Sequence, residues 1–316
     1  MDRENIYSGG LESTKDLFLS SDEISEENKE EIMTLAEECW AQGLSARRIK
    51  KYYNTFKTLL SKFTPSDFKL KNAEKKDLKE VVANIEKSDY SPYTKQDFRV
   101  ALKKYYKVKN GGEEPDKTKF FSTQLKGKDK SKLPEDLLSR DEVQNLIEAC
   151  TNTRDKALIS VLYESGTRIG ELLSLTLNNV SFDDNGVIIQ VFGKTGSRRI
   201  RLIESERHLR NWIQDHPAGG EKAPLWVKVE QYEGKYSKLK YGAARRMLKK
   251  KAEKAGIDKD KIFPHNFRHS RATELANDLT EAQMCEYFGW VQGSEQPATY
   301  VHLSGRDIDK EILKIH

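Results

Sequence analysis

The chain has 316 residues, with 55 basic and 50 acidic side chains, 36% hydrophobic residues and three cysteines. That length suits two domains, each able to bury a core. A mean hydropathy of −0.77 and the lack of any apolar run near ~18 residues exclude a membrane-spanning helix. The opening residues Met1 to Asn5 lack the basic-then-apolar pattern of a secretory signal. Cys39, Cys150 and Cys285 are far apart with no CxxC pair, which argues against a disulfide framework or a cysteine zinc site and for a reducing cytoplasm.

Charge is unevenly spread. Residues 1–40 hold 3 basic and 12 acidic side chains, a net −9, which leaves +14 on the remaining 276 residues. A basic body of that size is an electrostatic footprint for a polyanion, nucleic acid foremost, although a solvated lysine-rich surface has the same composition.

Residues 1–27 read as an acidic, weakly ordered segment with one apolar cluster at Leu17, Phe18 and Leu19. Helical signals begin at Ser25, and Ile32, Leu35, Ala36 and Cys39 repeat at helical spacing. Ser45 is placed to cap a second helix whose apolar stripe runs from Ile49 through Tyr52, Tyr53 and Phe56 to Leu60. Further helices are expected over 66–88 and 93–107, so 28–109 reads as a small all-helical unit. Its aromatics pack, and Arg47, Arg48, Lys50 and Lys51 between them are candidates to face a phosphate backbone.

Residues 110–133 read as a lysine-rich linker. Gly111, Gly112 and Pro115 break regular structure, and six lysines, Lys126 and Lys128 among them, stand against two acids from Asp116 to Lys132. Such a tether can lie along DNA or simply be solvated.

From 134 to 316 the character changes. Ser139 and Glu142 form a capping box, with helices expected near 140–150, 154–165 and 168–177. Two β-rich runs, 187–192 and 199–203, flank the turn at 193–196, and a shorter strand at 180–182 precedes the turn at 184–186. Helices return at 205–214, 239–255, 267–276, 280–288 and 304–315. In the last, Ile308, Ile312 and Ile315 share a stripe that must dock in cis or on a neighbour. The fold class is mainly α with a small antiparallel β-sheet.

No GxSxG, Walker loop, HExxH or paired carboxylates occur. What stands out is a set of cations in special contexts. Arg168 follows a glycine break in the stretch from Tyr163 to Leu172, an odd choice for an apolar helix, Lys194 sits at the hairpin tip, and His265 and Arg268 lie three apart at a helix start. Trp290 follows a glycine, and Tyr300 lies near the end.

Taken in order, the run from Gly166 through Arg168 to Glu171, the hairpin lysine, His265-x-x-Arg268-His269, Phe288-Gly289-Trp290 and Tyr300 resemble the tyrosine recombinase (phage integrase and Xer-like) family. The resemblance is detailed over 134–316. Over 28–109 it extends only to the length, helicity and position of that family's core-binding, SAM-like domain. Trp290 stands where most members carry histidine, as it does in some members.

The resemblance implies an all-helical core-binding domain followed by a DNA breaking-rejoining catalytic domain. It implies a site-specific DNA recombinase, an integrase, that cuts and rejoins DNA through a covalent 3′-phosphotyrosine intermediate. Arg168 and Arg268 would clamp the phosphate, since each guanidinium can donate paired hydrogen bonds. Tyr300 would be the nucleophile, Lys194 the acid to the leaving 5′-oxygen, His265 an acid/base group assisting Tyr300, and Trp290 an N–H donor to a phosphate oxygen. Glu171 would support Arg168, and His269 would orient the site or pack; Tyr287 is the rival to Tyr300. Cations would replace a metal, so no cofactor is required. The implied partners are double-stranded DNA and other copies of the chain, a dimer per site and a tetramer in the synapse, with room for an accessory DNA-bending factor and no membrane. The implied setting is the DNA of a prokaryotic cytoplasm, on a virus or mobile element. A Xer-like resolvase of chromosome or plasmid dimers and a catalytically silent DNA-binding protein are the alternatives.

Overall fold

The computed structural model describes residues 10–125, 134–193, 196–218, 220–228 and 236–303. They fall into two compact units, one holding the described residues 10–125 and the other 134–303.

The first unit is built from helices α1 (Leu11–Leu19), α2 (Glu26–Ala41), α3 (Ala46–Lys62), α4 (Lys75–Lys87) and α5 (Pro92–Lys109). Short polar residues set the starts. Ser25 accepts a bond from the Asn28 N–H, and Ser91 accepts one from Thr94 ahead of a proline that costs the first turn nothing. Helix α3 starts behind Ser45, but that side chain makes no capping bond. Ile49, Phe56 and Leu59 of α3 are fully buried against Leu78, Ile85 and Leu102 of α4 and α5, while Arg47, Arg48 and Lys51 lie exposed on its other face.

Three expectations change here. The acidic segment is not weakly ordered over its described part: 11–19 is a helix, and Phe18 and Ile24 enter the core. Its amphipathicity is short and depends on α3, where Lys57 donates to the Leu17 carbonyl at 2.9 Å. Residues 66–74 are not helical. The buried Asn28 amide donates to the Phe68 carbonyl at 2.8 Å and accepts from the Leu70 N–H at 2.9 Å, occupying groups that a helix would pair internally. The described part of the linker is not a free tether. Phe121 and Thr118 are buried on this unit, and Lys117 donates to the Ala73 carbonyl at 2.8 Å. Lys126 and Lys128 lie outside the described residues.

In the second unit, α6 (Arg140–Glu148) and α7 (Thr153–Ser165) lead into the short α8 (Ile169–Leu173). Strands β1 (Val180–Asp183), β2 (Gly186–Gly193) and β3 (Gly196–Leu202) form an antiparallel meander in the order β1-β2-β3. Helices α9 (Glu206–Gln214), α10 (Tyr241–Ala255), α11 (Pro264–Leu275), α12 (Glu281–Phe288) and α13 (Gln296–Leu303) follow. The expected mainly helical fold with a small antiparallel sheet is what forms.

The Ser139–Glu142 capping box opens α6, with the serine accepting at 3.1 Å and the glutamate at 2.9 Å. Helix α7 is buried on every side, so its few charges need partners. Asp155 pairs with Arg154 at 2.5 Å and Lys251 at 3.3 Å, and the Glu164 carboxylate accepts from the backbone N–H groups of Ile203, Glu204 and Ser205. Val187, Ile189 and Val191 alternate inward along β2 and face Leu202 and Ile200 across the β2–β3 register. Helix α8 is shorter than the expected 168–177, giving way to a 3₁₀ turn at Leu177–Asn179. Helix α13 has no counterpart in the sequence reading. The hairpin turn at 194–195 and the expected helix over 304–315 lie outside the described residues. Among the described residues no helix is long and apolar enough to cross a membrane.

Asn28 is the testable element of the first unit. Asn28→Ala leaves a buried N–H and a buried carbonyl unpaired, and the expected loss is about 2 kcal/mol, within the range for stranded polar groups. Chemical denaturation of the full chain checks this; an unchanged transition would mean that 66–74 holds its shape without the clamp.

Candidate active site

Three helix ends converge in the second unit. Helix α7 ends at Gly166, whose left-handed φ of 54° suits glycine. A Cβ there would also come within 2.4 Å of the Phe288 ring. Helix α12 ends the same way at Gly289, φ 61°, where a Cβ would strike the Arg198 guanidinium at 2.7 Å. Both glycines therefore permit close approach as well as a reversal of the chain.

Arg268, on the first turns of α11, runs between these ends. Its terminal nitrogens donate to the Gly166 carbonyl at 2.9 Å and the Phe288 carbonyl at 2.7 Å, and the side chain is 1% exposed. The guanidinium carbon lies 5.1 Å from the Phe288 ring and 5.3 Å from the Trp290 ring. Burial, then repulsion from Arg168, pulls its pKa down to about 9. It is charged at neutral pH.

Arg168 caps the start of α8 and donates to Glu171 at 2.9 Å, while its own backbone N–H reaches the second oxygen of that carboxylate at 3.2 Å. Glu171 is buried and also accepts from Arg198 at 2.8 Å. Burial pushes its pKa up, but hydrogen bonds and charge from Arg198 and Arg168 outweigh that and hold the carboxyl below its ordinary value. Arg198 donates as well to the Tyr287 carbonyl at 2.8 Å, and its third nitrogen is buried without a hydrogen-bond partner. Arg168 and Arg198 thus share the Glu171 carboxylate while Arg268 bonds only to main-chain carbonyls, so three guanidiniums stand near one carboxylate, two positive charges in excess. An anion is the complement such a cluster lacks.

Tyr300, on α13, is 4% exposed and packs with Ala272 of α11, Ala276 just past its end, and Met284 and Phe288 of α12. Its ring stacks on Trp290 at 5.2 Å and 9°, and Trp290 stacks in turn on Phe288 at 4.8 Å. Its hydroxyl lies 2.7 Å from His269 Nδ1. Burial raises the phenol's pKa, against the opposing pull of Arg268 and Arg168.

The structure therefore gathers Arg168, Glu171, His265, Arg268, His269, Trp290 and Tyr300. His265 is joined through His269, whose ring it meets edge-on at 4.4 Å. Lys194 lies outside the described residues, but the preceding Gly193 is so near Glu171 that a Cβ on it would stand 3.0 Å from the carboxylate. The rival Tyr287 is occupied by packing and donates its hydroxyl to the Glu164 carbonyl at 2.8 Å. Arg47, Arg48, Lys50 and Lys51 belong to the other unit; Lys51 pairs with Asp97 at 2.6 Å and Arg48 lies over the Tyr52 ring. Sequence reasoning missed Arg198. Its signal was the two-residue period of β3, where Arg198 falls in step with the buried Ile200 and Leu202.

A profile of the phage integrase family matches residues 136–306. The chain is 28% identical over 243 residues to tyrosine recombinase XerA of Pyrococcus horikoshii, covering 74% of this chain and 75% of that protein. It is 27% identical over 258 residues to tyrosine recombinase XerD of Vibrio cholerae, covering 77% and 82% respectively. In fold it is similar to the XerH site-specific recombinase solved on its difH substrate, with TM-score 0.63, 19% identity, and 96% and 95% of the two chains covered. A lambda integrase dimer bound to a core site gives TM-score 0.65 at 14% identity, covering 94% and 86%.

Arg198→Ala should destabilise the second unit by about 3 kcal/mol, the scale for removing one partner of a buried ion pair. Thermal melting of the full chain checks it. An unshifted melt would mean that Arg168 alone satisfies Glu171.

Proposed function

The chain belongs to the phage integrase family, and from that membership we propose that it is a site-specific DNA recombinase whose nucleophile is Tyr300. The observation that carries this reading is the unmatched positive charge of Arg168, Arg198 and Arg268 beside a buried tyrosine. A scissile phosphodiester brings one negative charge in the ground state and a second as the phosphorane forms, so preorganised guanidiniums bind the transition state better than the substrate. Arg168 and Arg268 hold the non-bridging oxygens. Glu171 and Arg198 hold Arg168 in place.

In the forward step the Tyr300 oxygen bonds to phosphorus and the bond to the 5′-oxygen breaks, leaving a 3′-phosphotyrosine. Lys194, next to a glycine beside Glu171, protonates the leaving 5′-oxygen. The new phosphodiester keeps the energy of the old one, so a 5′-hydroxyl from a partner strand can reverse the reaction without ATP. Trp290, stacked on Tyr300 and Phe288, fixes the nucleophile's ring while its indole N–H serves a phosphate oxygen.

The first unit binds the duplex through Arg47, Arg48, Lys50 and Lys51 on α3, together with Lys126 and Lys128. The protein acts on double-stranded DNA in the cytoplasm of a prokaryotic host, two copies per site and four per synapse. Dimeric and tetrameric lambda integrase assemblies on DNA support that stoichiometry. The same chemistry serves integration of a mobile element or Xer-like resolution of dimers. Recombination by the purified chain alone on plasmid DNA would dispense with an accessory bending factor.

A suicide substrate, nicked so that the cleaved end diffuses away, tests the reading. The full chain should form a covalent protein–DNA adduct. Tyr300→Phe should form none while its DNA affinity stays nearly unchanged, because the hydroxyl is not needed for binding. Adduct formed by Tyr300→Phe would move the nucleophile elsewhere, Tyr287 first. No adduct from either protein would leave a DNA-binding protein.

A further inference from the structure

A phenol attacks phosphorus only as it loses its proton, and its ordinary pKa of about 10 keeps it protonated at neutral pH. Tyr300 is 4% exposed, covered on one face by Trp290 and packed among Ala276, Met284 and Phe288. Bulk water has little access to its hydroxyl, so the base that takes the proton must come from the protein. The group in place is His269: its Nδ1 lies 2.7 Å from the Tyr300 oxygen, inside the range for direct proton transfer.

The backbone fixes this pair. His269 follows Arg268 directly on α11, so one rigid turn carries both the guanidinium that spans Gly166 and Phe288 and the imidazole that meets the nucleophile. Helix α13 delivers Tyr300 to that turn by packing on α11 and α12. His265, one turn earlier on α11, meets the His269 ring edge-on at 4.4 Å and limits its rotation.

Building on the recombinase reading above, we infer that His269 is a catalytic residue, the general base for Tyr300, with His265 as a positioning residue behind it. In cleavage the phenolic proton passes from Tyr300 to His269 Nδ1 as the Tyr300 oxygen bonds to phosphorus and the bond to the 5′-oxygen breaks. The imidazolium so formed adds a positive charge beside the developing phosphorane. In religation the incoming 5′-oxygen displaces Tyr300, and the proton on Nδ1 returns to the phenolate as it leaves. No further reactant is consumed, and the histidine ends as it began.

The test compares single-turnover cleavage of the suicide substrate by the full chain, His269→Gln, His269→Ala and His265→Ala, with DNA affinity and melting measured alongside. Glutamine keeps an acceptor for the Tyr300 hydroxyl but cannot hold its proton. His269→Gln should therefore cleave at least ~10²-fold slower while binding DNA as the parent does, the scale for losing a general base. Placing 3,5-difluorotyrosine at position 300, a more acidic phenol, should narrow that deficit, and added imidazole should speed His269→Ala. His265→Ala should lose less than His269→Gln. A near-parental rate for His269→Gln would overturn the inference by showing that the hydrogen bond only orients Tyr300. A deficit that the fluorinated phenol leaves unchanged would overturn it for the same reason. A larger loss from His265→Ala than from His269→Gln would transfer the role to His265. Lack of adduct from the parent chain fails the recombinase reading itself and is distinct from each of these results.

Discussion

The second unit depends on one buried guanidinium. Arg268 joins the last carbonyl of one helix end, Gly166, to that of another, Phe288, from a third helix, and does so at 1% exposure. Burying a cation without a carboxylate partner is expensive, and two main-chain carbonyls offset only part of the cost. Burial, together with repulsion from Arg168 and Arg198, depresses the Arg268 pKa to about 9. The fold tolerates this because α7 is packed on all sides and cannot give way. A rigid scaffold holding an unsatisfied charge is what electrostatic preorganisation requires.

The glycines and the arginine pairs follow from the same constraint. Gly166 and Gly289 take left-handed turns where a Cβ would meet the Phe288 ring or the Arg198 guanidinium. They let α7 and α12 end close enough for one side chain to span them. Glu171 then ties Arg168 to Arg198, and Arg198 reaches on to the Tyr287 carbonyl, so the sheet, α8 and α12 share one polar network. Tyr300 closes the arrangement from α13 by stacking on Trp290. Substrate binding on the recombinase reading therefore completes a network that is already built.

Local rules carry much of this. Ser139 with Glu142 places the start of α6, the aliphatic alternation around the hairpin places β2 and β3, and the ordered motifs from Gly166 to Tyr300 fall on helix ends that the fold brings together. What escapes the sequence depends on partners distant along the chain. Helix α1 is stabilised by Phe18 entering a core formed mostly after residue 30, and 66–74 is held out of helix by Asn28 about forty residues away. Helix α13 has only eight residues, too few for a clear period, and forms because α11 and α12 cover Tyr300. The His269–Tyr300 bond spans 31 residues. A motif spacing names both histidines of α11 but cannot say which one meets the tyrosine.

On the recombinase reading, the excess positive charge around Arg268 exists for the scissile phosphate. The decisive experiment measures the cleavage loss from Arg268→Ala on two otherwise identical substrates, one with a phosphodiester and one with an uncharged methylphosphonate at the cleavage position. If the guanidinium balances phosphate charge, the loss should be at least ~10²-fold on the phosphodiester, as for removal of an oxyanion donor, and should nearly vanish on the methylphosphonate. Equal losses on both substrates would contradict the account, because Arg268 would then serve only to join Gly166 to Phe288.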